Sequence, residues 1–141
     1  YLVIRGIRTL DVRLEKHEKN TKEVIKFLLK QKKIKEILYP HKKGTKNYKN
    51  WKKYYSGATG LLGLVIKSKS KSSVYKFINS LELFGIGYSW GGFESLAVYQ
   101  DIQREFKKYE DKNLHIVRLH IGLEDPKDLI TDIRNSLRYI K

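Results

Sequence analysis

Apolar residues recur at Ile7, Leu10 and Leu14 and again at Val24, Phe27 and Leu28, close to the three-and-four spacing of an amphipathic helix. The HEKNTKE stretch between them is polar, so the pattern fits one long helix with a wet middle or two helices meeting at a kink. Residues 34–39 (IKEILY) read as a short strand stopped by Pro40. From His41 to Tyr55 runs a basic, aromatic-rich connection containing Trp51, Tyr54 and Tyr55. LLGLVIK at 61–67 is an apolar run of strand length after a Gly-containing turn. Ser72 or Ser73 is placed to cap a helix running through Leu81, with Val74, Phe77, Ile78 and Leu81 on one face. LFGIGYS at 83–89 is extended, and HIVRLHI at 115–121 is the second strong strand. Asp125 is a good N-cap and Pro126 a natural first-turn residue. Leu129, Ile130, Ile133, Leu137 and Ile140 give the helix they open its buried stripe. Residues 101–114 are polar and fit either a helix or a surface loop.

Strands drawn from separated parts of the chain, with helices between them, predict an α+β domain with helices covering one sheet face. A chain of 141 residues suits one domain with a single core. The absence of Cys excludes disulfides, thiolate metal sites and Cys nucleophiles, and agrees with a reducing cytoplasm. There is no signal-type start, and no apolar run approaches the ~20 residues of a membrane helix, so the chain reads as soluble, without a membrane partner. It contains no Met and opens at Tyr1 in what reads as mid-element, the expectation for a piece of a longer chain.

The formal net charge of +15 raises the question of nucleic acid. The distribution argues against it. The basic residues are mostly Lys and are spread from Lys16 to Lys141, while Ile, Tyr and Asn are plentiful and Ala is scarce. That is the bias of an AT-rich coding sequence, and a solvated Lys-rich surface accounts for it.

Two segments carry candidate chemistry: SWGGFES at 89–95 and HIVRLHIGLEDPKDLI at 115–130. Arg118 lies between Val117 and Leu119, so its side chain leaves the strand on the face opposite those two. A guanidinium is a planar fork that matches a carboxylate two bonds at a time, which Lys cannot do. Read alone, Arg118 could equally pair with a surface carboxylate, and Ser89 could be an ordinary turn residue. Trp90 could be core, as most large aromatics are. His120 alternates onto the Arg118 face, where a lone His is usually a satisfied packing residue. Trp51, Tyr54 and Tyr55 fit core or domain contacts better than base stacking. His17 and His41 have no partners at metal-ligand spacing, so no metal is implied.

The same segments resemble the C-terminal domain of the pyridoxal-phosphate (PLP) enzymes of Cys/Met metabolism, and most closely the cystathionine β-lyases. The likeness covers nearly the whole chain, from YLVIRGIRTLDVRLEKHEKN through YYSGATGLLGLVIK to RLHIGLEDPKDLITDI. It implies a fold-type-I small domain over residues 1–141, with Tyr1 to about Thr21 as the linking helix region and a small, mainly antiparallel sheet with helices on one side. It also implies that Arg118 holds the substrate α-carboxylate, with Ser89 and Trp90 in the same pocket and Glu94 and Ser95 supporting the loop. Arg5 and Arg8 then lie near the junction with a preceding domain. SWGG in place of the SLGG of γ-type relatives, and Leu96-Ala97-Val98-Tyr99-Gln100 in place of their His-rich stretch, point to the β-lyase branch.

In such enzymes a Lys upstream of the RG-x-RTL motif forms the Schiff base with pyridoxal 5'-phosphate. The cofactor is therefore expected on an N-terminal domain outside this chain, with no catalytic or cofactor-binding residue here. The complete protein is expected to cleave the Cβ–S bond of cystathionine, giving homocysteine, pyruvate and ammonia, as a cytoplasmic homo-oligomer (a tetramer) acting on a small amino-acid substrate. The chain alone is expected to be inactive. A remnant of a split gene, or a subunit docking on a separate PLP-binding chain, are the alternatives.

Overall fold

The computed structural model describes residues 1–88, 92–101 and 111–141. Two helices open the chain, α1 (Leu2–Ile7) and α2 (Leu10–Leu28), broken at Arg8-Thr9. They lead through β1 (Ile34–Leu38) and α3 (Lys46–Tyr54) to β2 (Leu61–Lys67) and α4 (Lys71–Asn79). Two short strands come next, β3 (Gly85–Ile86) and β4 (Leu96–Gln100), then β5 (Leu114–His120) and α5 (Pro126–Ser136), which tightens into a 3-10 turn over Leu137–Tyr139.

The five strands form one sheet in the order β1-β2-β5-β4-β3. All pairs are antiparallel except β3 with β4, so the sheet is mixed but mainly antiparallel. The last strand in sequence, β5, is the central one. Alternation along the strands sends Leu62, Leu64 and Ile66 of β2, and Val117 and Leu119 of β5, to one face. There they bury against Val24 and Leu28 of α2, Val74 and Phe77 of α4, and Leu129 and Ile133 of α5. This is the expected α+β architecture with helices on one face.

The caps are local. Asp125 accepts from the Lys127 amide at 2.8 Å, and Pro126 needs no donor in the first turn. The N-cap of α4 is Ser70, earlier than the predicted Ser72 or Ser73, because its hydroxyl reaches the Ser73 amide at 3.3 Å. The connection after His41 contains a helix that the sequence pattern does not announce. Thr45 caps α3 by accepting from the Tyr48 amide, and KNYKNWKKY has no aliphatic residue, its only apolar spacing being the aromatic one of Tyr48, Trp51 and Tyr54.

Helix α2 buries Val24 and Leu28 as expected, but its first half departs from the pattern. Leu10 and Leu14 stand exposed, while His17, Asn20 and Thr21 of the polar middle are at most 1% exposed. The apolar residues of α1 are also outside the core: Leu2 is 76% exposed and Ile4 62%. Among the described residues, no helix is long and apolar enough to cross a membrane.

Candidate functional site

Arg118 sits mid-strand in β5, opposite Gly63 of β2 on one side and Val98 of β4 on the other. Its side chain leaves on the face away from Val117 and Leu119, as the alternation predicts. Because Gly63 has no side chain, the sheet surface beside the guanidinium is low; a Cβ there would already touch Leu38 at 3.3 Å. The guanidinium carbon lies 5.0 Å over the Tyr88 ring, within cation–π range. The Tyr88 hydroxyl in turn accepts from the Gln100 side chain at 3.1 Å.

Arg118 also lines a cleft of about 480 Å³ whose other walls include Tyr39, His41, Trp51, Tyr55 and Leu61. Trp51 stacks on His41 with ring centroids 4.0 Å apart, and its indole donates to the Gly57 carbonyl at 2.9 Å. The wall is tied to α2 by Glu18, which accepts from the Ala58 amide at 3.1 Å, faces His41 at 3.3 Å and pairs with Lys22. Burial pushes the Glu18 carboxyl up, but bonds from Lys22 and Ala58 and the charges of Lys22 and His41 outweigh it and hold it below the usual range. Burial and the Lys22 and Lys43 charges push the His41 imidazole down against Glu18. Burial also raises the Tyr39 phenol. The cleft is therefore mainly apolar, with a cation at one end.

Ser89 and Trp90, the other two predicted pocket residues, lie outside the described residues. The next stretch of the motif, from Gly92 to Ser95, is bonded to the end of β5 and the turn beyond it. His120 is buried and donates from Nε2 to the Gly92 carbonyl at 3.2 Å, the packing role expected of it. The Leu123 amide donates to the Phe93 carbonyl at 2.8 Å. Ser95 donates to Glu124 through both its amide, at 2.7 Å, and its hydroxyl, at 2.9 Å. The Gly122 amide donates to the Ser95 hydroxyl at 2.8 Å. A Cβ on Gly122 would run into the Phe93 carbonyl, so glycine is what lets the two segments cross. The residues 92–95 that end SWGGFES are thus fastened to residues 120–124.

A contribution that the spacing did not announce comes from α2. His17 donates from Nδ1 to the Ile121 carbonyl at 2.7 Å, and Asn20 donates to the carbonyls of Gly122 and Glu124 at 2.9 and 2.8 Å. A polar run inside an amphipathic pattern is the signal that could have found it.

The model of the Cys/Met metabolism PLP-dependent enzymes matches residues 1–138. The chain belongs to that family. Members similar to it include a cystathionine beta-lyase from Bordetella avium, 36% identical over 139 residues, covering 97% of this chain and 35% of that protein. An L-alanine/L-glutamate racemase from Wolbachia pipientis is also 36% identical, over 140 residues, with the same shares covered. Among solved structures, a Campylobacter jejuni protein assigned as an O-acetylhomoserine (thiol)-lyase matches with a TM-score of 0.80 and 30% identity, over 97% of this chain and 31% of that one. That protein carries a pyridoxyl-lysine phosphate. This member of the PLP family spans about a third of the length of the curated relatives it matches.

Proposed function

We propose that this chain is the substrate-orienting part of a PLP-dependent carbon–sulfur lyase that cleaves cystathionine, with Arg118 holding the substrate α-carboxylate and Ser89 and Trp90 beside it. One observation carries the reading. Arg118, on the central strand of the sheet, lines a mainly apolar cleft, where a bidentate carboxylate contact is strong and specific. The residues at that cleft do not suit the cofactor. Among the described residues no lysine lines it, so nothing there can form the Schiff base. In this reading the cofactor is held by a domain outside this chain, in keeping with the third of the relatives' length that the chain spans, and Arg118 contributes by fixing the orientation of the amino acid.

The exposed apolar residues of α1 support a linking role for Tyr1 to about Thr21, with the contact surface facing that other domain. Assembly as a homo-oligomer in the cytoplasm belongs to the same reading.

In the full-length enzyme, Arg118→Ala is expected to raise KM strongly for cystathionine, followed by pyruvate release. An unchanged KM would sink the assignment. The isolated chain supplied with PLP and cystathionine is expected to release no pyruvate.

A second reading rests on the racemase relative, whose identity equals that of the Bordetella lyase. Every amino-acid substrate offers an α-carboxylate, so Arg118 would serve racemisation equally. Loss of optical rotation from L-alanine without pyruvate release would favour it.

A further inference from the structure

Carboxylate binding explains Arg118 but does not account for Ser95 and Glu124, in the second halves of the two motifs. The start of α5 does not need Glu124, because Asp125 already caps the helix. The Glu124 carboxylate turns instead to the motif loop and spends both oxygens on Ser95, a residue with 0% exposure. The Ser95 hydroxyl passes the connection on by accepting from the Gly122 amide. The Leu123–Phe93 backbone bond and the His120–Gly92 bond complete the seam. On the other side, Asn20 holds the Glu124 and Gly122 carbonyls, so residues 122–124 are gripped from α2 as well.

We propose that Glu124 is a positioning residue: by clamping Ser95 it fixes residues 92–95 against the chain just beyond β5, and so steadies the end of the strand that presents Arg118. The inference rests on the reading of Arg118 as the carboxylate anchor. Arg118 stands six positions before Glu124, on the strand whose end the clamp holds. A carboxylate is the suitable clamp because it accepts two bonds from one residue at once and, being charged, makes each stronger than a neutral acceptor would.

The test uses the full-length, PLP-loaded enzyme with Glu124→Ala, Glu124→Gln, Arg118→Ala and the Arg118→Ala/Glu124→Ala double variant, read by KM, kcat and thermal midpoint. Glu124→Ala is expected to raise KM about tenfold or more, the scale of a lost charge-assisted bond. Glu124→Gln, which can still accept from the Ser95 amide, is expected to fall between wild type and Ala. In the Arg118→Ala background, Glu124→Ala is expected to add much less than it does alone, because the carboxylate contact it serves is gone. Arg118→Ala raising KM while both Glu124 variants lower only the thermal midpoint would overturn the proposal and leave the Arg118 reading standing. Full multiplication of the two effects would overturn it too. If Arg118→Ala itself leaves KM unchanged, the carboxylate reading fails and takes this one with it. Where Glu124→Ala does not fold, Glu124→Gln carries the same decision through its KM.

Discussion

The imidazole of His17 donates a 2.7 Å hydrogen bond to the carbonyl of Ile121, joining the first long helix to the end of the central strand. The partners are 104 residues apart, and both are buried. With Asn20 one turn further on, His17 makes the polar middle of α2 the part of that helix that grips the site-bearing strand.

Asn20→Asp is expected to destabilise the domain more than Asn20→Ala. The Ala variant strands two carbonyls, at a cost of about 1–3 kcal/mol. The Asp variant turns a carboxylate toward those same oxygens, and its cost adds repulsion to the lost bonds. Urea unfolding of the two variants beside wild type checks the order.

Stability is expected to fall as pH drops below about 6.5, the ordinary imidazole value. Burial pushes His120 below that value, with the His17 and Arg118 charges adding to it and the Gly92 carbonyl and Glu124 opposing. The unfolded chain therefore takes up the proton first, and acid favours unfolding until pH passes the lowered folded value. Above pH 7 this contribution is fully present. His41 is shifted the same way and adds to the slope. Thermal midpoints between pH 5 and 8 should show the decline, and His120→Gln, which keeps a donor but does not titrate, should flatten it.

Arg118→Lys is expected to recover little of what Arg118→Ala loses in the full-length enzyme. An ammonium is a point charge and cannot offer the two parallel donors of the fork. It would also lose the flat packing over Tyr88. KM values for the three proteins, at matched ionic strength, decide it; a Lys variant within twofold of wild type would show that charge alone suffices.

The isolated chain is expected to bind a hydrophobic dye and to self-associate through α1, where Leu2, Val3, Ile4 and Ile7 are all exposed. Leu2→Lys with Ile4→Lys should lower both signals with the thermal midpoint unchanged, because α1 buries no residue. Light scattering and dye fluorescence provide the readings.

Where apolar residues alternate or repeat on the helix period, the sequence was a good guide. The β2 and β5 strands, the α4 and α5 stripes and the face of Arg118 all follow from it, since the core decides those positions. It misled in α2, because periodicity counts Leu10 and Leu14 as inward and cannot know that His17 and Asn20 will find carbonyls a hundred residues away. Helix α3 was missed because its stability comes from the Thr45 cap and the Trp51 stack on His41, neither of which is an apolar pattern. β4 was missed for a related reason: LAVYQ is only half-buried, and its partner strand lies beyond a long polar stretch. Of the three residues proposed for the pocket, Arg118 stands on the face that alternation assigned it, and Ser89 and Trp90 lie outside the described residues.

The place of β5 also governs how the molecule can be made. Among the described residues β2 and β4 do not pair with each other, and the two halves of the sheet meet through β5. During synthesis the β1–β2 pair and the β3–β4 pair are therefore two separate scraps, each with an open edge, until residues 114–120 clear the ribosome and slide between them. A nascent chain halted just short of Leu114 would hold four of the five strands and no continuous sheet, while β5 joins both scraps into one surface on which Leu129 and Ile133 can then close the core.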